Sequence, residues 1–385
     1  MRFARTAAAI AAAALLSASA CSTGTEADGA SGGSGSAEGP PTGLALLYRG
    51  HGGGDPEQDQ ALVFLDPGSG KEKASFRLPE GAVDPMAPAL PAHSWFSEDW
   101  NHFVYAPPES PTVQVAQLTK DQKGDYVYEQ AGALEAPPAE VWTDPRIHDD
   151  RIWFAARAAE GQAGSFQVLS VPLDDPTASP TQEGTVPFDQ NGVPSEWAVD
   201  PDGALHIRDQ APITQATGPA GEALTVRMSG DNLMNASLTA AGTEWQHLPG
   251  APVWGERTAL LAPVGGAAAP SPAQGVQPVP QQQGQPAQQG AQTPGGTGPA
   301  GRLITLDETG TAFTEVPLLE GEGAVVQYLL SADRDAVLLQ TEKAWYRLPL
   351  GEGGEPKGEA EELFEVPRDA SMDGFPLAVQ YTTKD

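Results

Sequence analysis

The chain holds a single cysteine, a shortage of basic residues and no apolar stretch long enough to cross a membrane as a helix. With Cys21 alone there is no internal disulfide, so stability must come from a packed core. Lys and Arg number 21 against 51 Asp and Glu, a formal charge of −30. Such a surface repels nucleic acid and anionic head groups, which removes both from the expected partners. The apolar run from Ala7 to Ala20 is 14 residues, against the roughly 20 that a spanning helix needs. No segment sustains helical periodicity, which leaves short β-type runs as the fold-forming material.

What is present begins at the N-terminus. Arg2 and Arg5 precede the apolar run, and Ala18-Ser19-Ala20-Cys21 forms a small-residue processing site. The pattern is that of an export signal over residues 1–20. The site resembles a bacterial lipobox, of an actinobacterial type, departing from it at Ala18, where leucine is usual. The resemblance implies an acylated Cys21 and a lipoprotein held at the cell membrane on its extracytoplasmic face. An ordinary secretory site would cut at the same bond and leave Cys21 free. Several acyl chains on one cysteine anchor more firmly than a single chain does. Loss of Arg2 and Arg5 takes the formal charge from −30 to −32.

Two segments cannot bury enough surface to order themselves. Residues 22–42 are Ser, Gly, Ala, Thr and acids; as a flexible tether following Cys21 they would reach about 25 Å. Residues 265–301 are dominated by Gln, Pro, Gly and Ala. The expected organisation is therefore a signal peptide (1–20), a lipidated tether (21–42) and one folded domain (43–385) interrupted by that insert.

Within the domain a unit recurs. Trp95, Trp142, Trp197, Trp254 and Tyr328 each precede an acidic turn and then an apolar run, such as Phe103-Val104-Tyr105 or Val337-Leu338-Leu339. Their intervals are 47, 55, 57 and 74 residues, and the last falls to 37 once the insert is removed. A period of roughly 40–55 residues with about four strands is that of a propeller blade. Pro201-Asp202-Gly203 is a turn in which proline presets one dihedral and glycine supplies positive φ. The unit resembles the TolB-like and WD40-like repeat in about five places between Ala92 and Leu350, which implies a β-propeller and at most a binding role. Three strands near Leu44–Tyr48, Ala61–Leu65 and Ala74–Leu78 lack a preceding tryptophan unit. Phe375 to Tyr381 could supply their missing inner strand, closing the ring with both termini. The expected fold is an all-β, six-bladed β-propeller, with five or seven blades as alternatives.

Catalytic motifs are poor. His51-Gly52-Gly53-Gly54 matches an oxyanion loop, but the only G-x-S-x-G run, Gly29 to Gly33, lies upstream in the tether. Gly68-Ser69-Gly70-Lys71 has Glu72 where a phosphate loop needs Ser or Thr, and reads as a turn. The six histidines form no zinc pair, and His206 reads as a half-buried packing residue. Glu98, Asp144, Asp200, Glu256 and Asp333 occupy matching positions in successive units. They could converge on a calcium ion, which takes six to eight oxygen ligands, or each could fix its own turn; the turn role is favoured. The sequence thus supports a membrane-anchored scaffold binding a protein or envelope polymer, without a cofactor. The competing reading is a calcium-dependent lactonase- or lyase-like propeller.

Overall fold

The computed structural model describes residues 42–55, 58–83, 92–107, 110, 112–158, 164–188, 195–200, 202–229, 232–247, 257–264, 301–323, 325–351, 354–366 and 376–382. Cys21, the tether before residue 42, Trp254, Glu256 and nearly all of the insert lie outside these residues. Gly301, assigned above to the insert, is the first residue of a strand. The described residues all belong to one compact unit, Ala37–Asp385.

The domain is all-β. Strands β1 (Leu44–Arg49), β2 (Gln60–Leu65) and β3 (Glu72–Arg77) form an antiparallel meander, the first sheet, and β4 (His102–Tyr105), β5 (Val113–Lys120) and β6 (Tyr126–Leu134) form the next, the second sheet. Strands β3 and β6 join the two by a parallel pairing at Arg77 and Val127. Phe96 bridges Phe103 on the free side of β4. A third sheet follows in order β7 (Glu140–His148), β8 (Arg151–Ala158), β9 (Ser165–Pro172), β10 (Thr181–Pro187). Then comes the pair β11 (Trp197–Val199) and β12 (Leu205–Ile207). A seven-stranded sheet contains β13 (Ile213–Thr217), β14 (Ala223–Ser229), β15 (Asn232–Ala240), β16 (Thr243–His247), β17 (Thr258–Pro263), β18 (Gly301–Leu306) and β19 (Phe313–Leu318). The last sheet is β20 (Val325–Leu330), β21 (Ala336–Thr341), β22 (Ala344–Pro349) and β23 (Glu361–Glu365). Finally β24 (Leu377–Tyr381) returns to pair with β1, Leu44 lying opposite Tyr381 and Leu47 opposite Leu377.

Period-two alternation explains how these sheets stack. On β1, Ala45 and Leu47 point to one side, and Leu44, Leu46 and Tyr48 to the other. The first set packs on Phe103, Ala116 and Tyr128 of the second sheet. The second set packs on Leu329, Leu338 and Trp345 of the last sheet. Both faces are buried, so a register slip of one residue would still bury apolar groups but mismatch every partner. Val104, Val115 and Leu134 join the second sheet to Trp142, Ile152 and Phe154 of the third. The opposite face of the third sheet meets Trp197, Val199 and Ile207. Leu260, Leu303 and Leu318 meet Val337, Leu339 and Leu348. Sheets therefore pack face to face in chain order, and the last packs on the first. This is a propeller-like arrangement, and each fully buried Leu, Ile, Val or Phe in it contributes about 1.5–3 kcal/mol.

The aromatic markers fall as the spacing suggests: Trp95 precedes the second sheet, Trp142 lies on β7, Trp197 on β11 and Tyr328 on β20. The region between β12 and β17 departs from the expected repeat. Four strands occupy it, and β16 pairs with both β15 and β17, so two sheets that the repeat would separate run on as one. The cause is local. Ala241 and Gly242 both have positive φ, 51° and 79°, the tight hairpin geometry that folds β16 directly onto β15. The long sheet curls so that Leu224, Val226 and Leu238 share a core with Ile304 and Phe313.

Candidate functional site

Of the four described acids among those singled out, Glu98, Asp200 and Asp333 sit on separate turns and Asp144 in a bulge of β7; Glu256 lies outside the described residues. Glu98 is exposed in the turn before β4, and Asp333 is exposed in the turn before β21. Neighbouring residues close these turns. Ser97 Oγ accepts the His102 amide and donates to Asp99 Oδ1 at 2.6 Å. Ser331 Oγ accepts the Asp335 and Ala336 amides, each at 3.0 Å. In the equivalent turn Asp200 itself does this work, its Oδ1 accepting the amides of Asp202 and Ala204. All three turns reverse at a left-handed residue: Trp100 (φ 61°), Gly203 (79°) and Arg334 (58°). Asp66, Asp121 and Asp307 cap other hairpins in the same way. Backbone Ala312 N–H and the Thr309 hydroxyl hold the Asp307 carboxyl below the usual carboxylate range. Among the described residues no three His, Cys, Asp or Glu side chains gather as metal ligands would.

His206 does more than pack. One ring nitrogen lies 2.7 Å from Asp200 Oδ2 and the other 2.7 Å from Ser229 Oγ. Burial opposes ionisation of Asp200, yet the bonds from His206 and from the Ala204 and Asp202 amides outweigh it and keep its carboxyl below the ordinary range. An acid–imidazole–hydroxyl chain has the composition of a nucleophilic triad. Here Asp200 Oδ1 holds its own turn while Oδ2 takes the imidazole, so one carboxylate serves both. The chain ties the β11–β12 pair to the end of β14, supplying the link between that pair and the seven-stranded sheet. The His51-Gly52-Gly53 stretch is a 3-10 turn after β1, with the imidazole edge-on to Tyr48 at 5.5 Å. Gly29 to Gly33 lies outside the described residues. The Gly68–Lys71 stretch is the β2–β3 hairpin turn, closed by the Asp66 amide to Lys71 O.

Asp144 is the exception among the four described acids. Between β7 and β8, Thr143 faces Ala155 and Arg146 faces Trp153, so Asp144-Pro145 carries an extra residue. Asp144 sits in this bulge with φ 52°, and bulges re-aim side chains in just this manner. Its carboxylate accepts a 3.0 Å bond from Arg146 Nη2, with the arginine side chain 10% exposed. Arg146 also donates to Trp197 O and lays its guanidinium 3.8 Å over the Trp197 ring. Across the same ladder Val141 faces Arg157. Arg157 lies 5.0 Å over Phe166, and burial pushes its guanidinium down while Asp144 raises it again. The third sheet thus turns toward β11 a face carrying Thr143, Arg146, Trp153 and Arg157, with Trp197 packed upon it. Two guanidinium groups lie on that face, and one of them, Arg146, is paired with Asp144.

Sequence reasoning reached Asp144 and Trp197 but missed both arginines. The available signal was period-two spacing in β8, where Trp153, Ala155 and Arg157 all point inward. An acid-lined cleft on the edge of the last sheet is less distinctive: Lys343 pairs with Glu322 at 3.3 Å, and Tyr346 donates to the same carboxylate.

No family model matches the chain, and no curated protein matches it. Solved structures of similar arrangement include a protein from Lactobacillus plantarum (10% identity, covering 88% of this chain and 98% of that one, TM-score 0.39). Others are a putative 6-phosphogluconolactonase from Bacteroides fragilis (9%, 88% and 97%, TM-score 0.35) and the dihydro-heme d1 dehydrogenase NirN (10%, 89% and 75%, TM-score 0.39). At these values the likenesses carry no functional or residue-level weight. The propeller-like description rests on the order of sheet packing.

Proposed function

We propose that the chain is a membrane-anchored extracytoplasmic lipoprotein whose domain is a binding scaffold for a protein or envelope polymer. Cys21 carries the lipid, and residues 22–42 hold the domain clear of the surface. The scaffold is read as six blades: the first three sheets, β11–β15, β16–β19 and β20–β23. The observation that supports the reading is the commitment of two of these acids. Asp144 is paired with Arg146, and Asp200 is bound to two backbone amides and His206. Acids held in this way serve architecture, whereas a calcium centre needs carboxylates free to converge.

Cys21→Ser is expected to move the protein from the membrane to the soluble fraction with its melting temperature unchanged. Retention of the variant in washed membranes would count against the anchor. Crosslinking of intact cells followed by affinity capture should recover one dominant partner from the parent and far less from the variant. Recovery of none would remove the scaffold reading. A calcium-dependent rise in melting temperature, reversed by chelator, would favour the lactonase- or lyase-like alternative.

A further inference from the structure

The interface between the third sheet and β11 concentrates buried donors without acceptors. Arg146 Nε, Arg157 Nε, Trp153 Nε1 and Trp197 Nε1 are all buried and unpartnered, as is Thr143 Oγ1. Thr143, Arg146, Trp153 and Arg157 share one face of the sheet, and Trp197 lies against it. A buried donor left unmade costs about 1–3 kcal/mol, and folded proteins leave few of them without water or a ligand. Five unpartnered polar atoms lie in this one interface, and four of them are N–H groups that need an acceptor.

Charge points the same way. Arg146 is paired with Asp144 at 3.0 Å, while Arg157, on the same sheet face, makes no ion pair among the described residues, so two guanidinium groups stand beside one paired carboxylate in a chain of formal charge −30. A guanidinium presents a planar fork that matches a planar carboxylate, and it remains charged when buried. The Trp197 and Phe166 rings lie 3.8 Å and 5.0 Å from the two guanidinium carbons, so each cation sits over an aromatic face. One surplus charge balances a monoanion. A dianion would bring a second negative charge against Asp144. The acidic remainder of the surface disfavours a polyanion.

We propose that this interface binds a single carboxylate group, borne by a small molecule or by the partner of the scaffold. Arg157 is its principal donor and Asp144 sets its charge limit. The inference names the chemistry recognised by the proposed scaffold, yet its test requires no partner.

The full chain, purified in detergent, is titrated with sodium acetate and sodium glucuronate at constant ionic strength against chloride. Parallel titrations use phosphate and sulfate. Thermal midpoint and tryptophan emission are followed together, since Trp153 and Trp197 line the interface. Saturable stabilisation by the carboxylates is expected, with a Kd on the order of 1–10 mM and a matching change in emission. Arg157→Gln should melt cooperatively yet lose at least tenfold in affinity. Asp144→Asn, which keeps a residue tolerant of positive φ, should bind the same carboxylates several-fold more tightly. Three results would overturn the proposal: no saturable response to either carboxylate, an equal response in Arg157→Gln, or phosphate or sulfate binding more tightly than acetate. The first means that the donors are met by water alone. A failure of partner capture in cells leaves these titrations untouched, so the two readings fail separately.

Discussion

Removal of residues 376–385 is expected to abolish the cooperative thermal transition. These residues carry β24, which hydrogen-bonds along β1. They also place Val379 in the core shared by the first and second sheets, and Tyr381 in the core shared by the first and last. Both side chains are nearly inaccessible, at 3% and 2%. A further tie is lost with them: the Gln327 side chain on β20 donates to Pro376 O and accepts the Ala378 amide. Burial of the two side chains contributes roughly 1.5–3 kcal/mol each, and the deletion also leaves the donors and acceptors of β1 as an open edge. Together the losses approach the roughly 5–15 kcal/mol that holds a whole domain folded. Circular dichroism should show β content with a broad, non-cooperative melt, accompanied by increased binding of a hydrophobic dye. A sharp transition within a few degrees of the parent would show that the closing strand is dispensable.

Trp345→Ala is expected to lower stability by about 3–5 kcal/mol. Trp345 is fully buried on β22, between the last sheet and Leu44, Leu46 and Val63 of the first. Its indole N–H has no partner in the structure, so the substitution breaks no hydrogen bond and the whole effect is lost packing and the cavity left behind. Urea denaturation should show a lower midpoint with an unchanged slope, the mark of altered stability in an intact fold. Ile213→Ala is the comparison: Ile213 is 59% exposed on β13, and its loss should fall within about 0.5 kcal/mol. Equal effects for the two variants would mean that Trp345 does not lie at a sheet interface.

The sequence made the closure legible because it was written in apolar strands at both ends. Leu44 to Tyr48 lacked an inner neighbour, and the run ending at Tyr381 lacked a sheet. The spaced tryptophans were legible too, since a large ring facing an adjoining sheet is needed once per sheet. Strands β13 to β16 were hidden. Their outward positions are Thr, Gln, Asn and Ser, and Ala216 and Ala236 fill inward sites where larger apolar residues would have marked a strand. The sequence did not single out Ser97 with Asp99 or Ser331 with Asp335, which close the turns that hold Glu98 and Asp333. A serine can open such a turn as well as an aspartate can, so composition alone did not fix which carboxylate closed it. The arginine pair was invisible for a different reason. Arg146 and Trp197 meet only because successive sheets stack face to face, and no local pattern announces that contact.

The claim on which all of this depends is that the two ends of the domain pair edge to edge. In a Cys21→Ser background the chain has no other thiol, so Ala45→Cys with Gln380→Cys introduces one possible bridge. The two positions are direct partners in the β1–β24 ladder, where opposed Cβ atoms lie about 4.5–5.5 Å apart, close to the separation a disulfide spans. Mild oxidation of the folded protein should join them nearly quantitatively, with faster migration on non-reducing gels and a higher melting temperature. Thiols that stay free in the folded state and react only after unfolding would contradict the closed order of sheets.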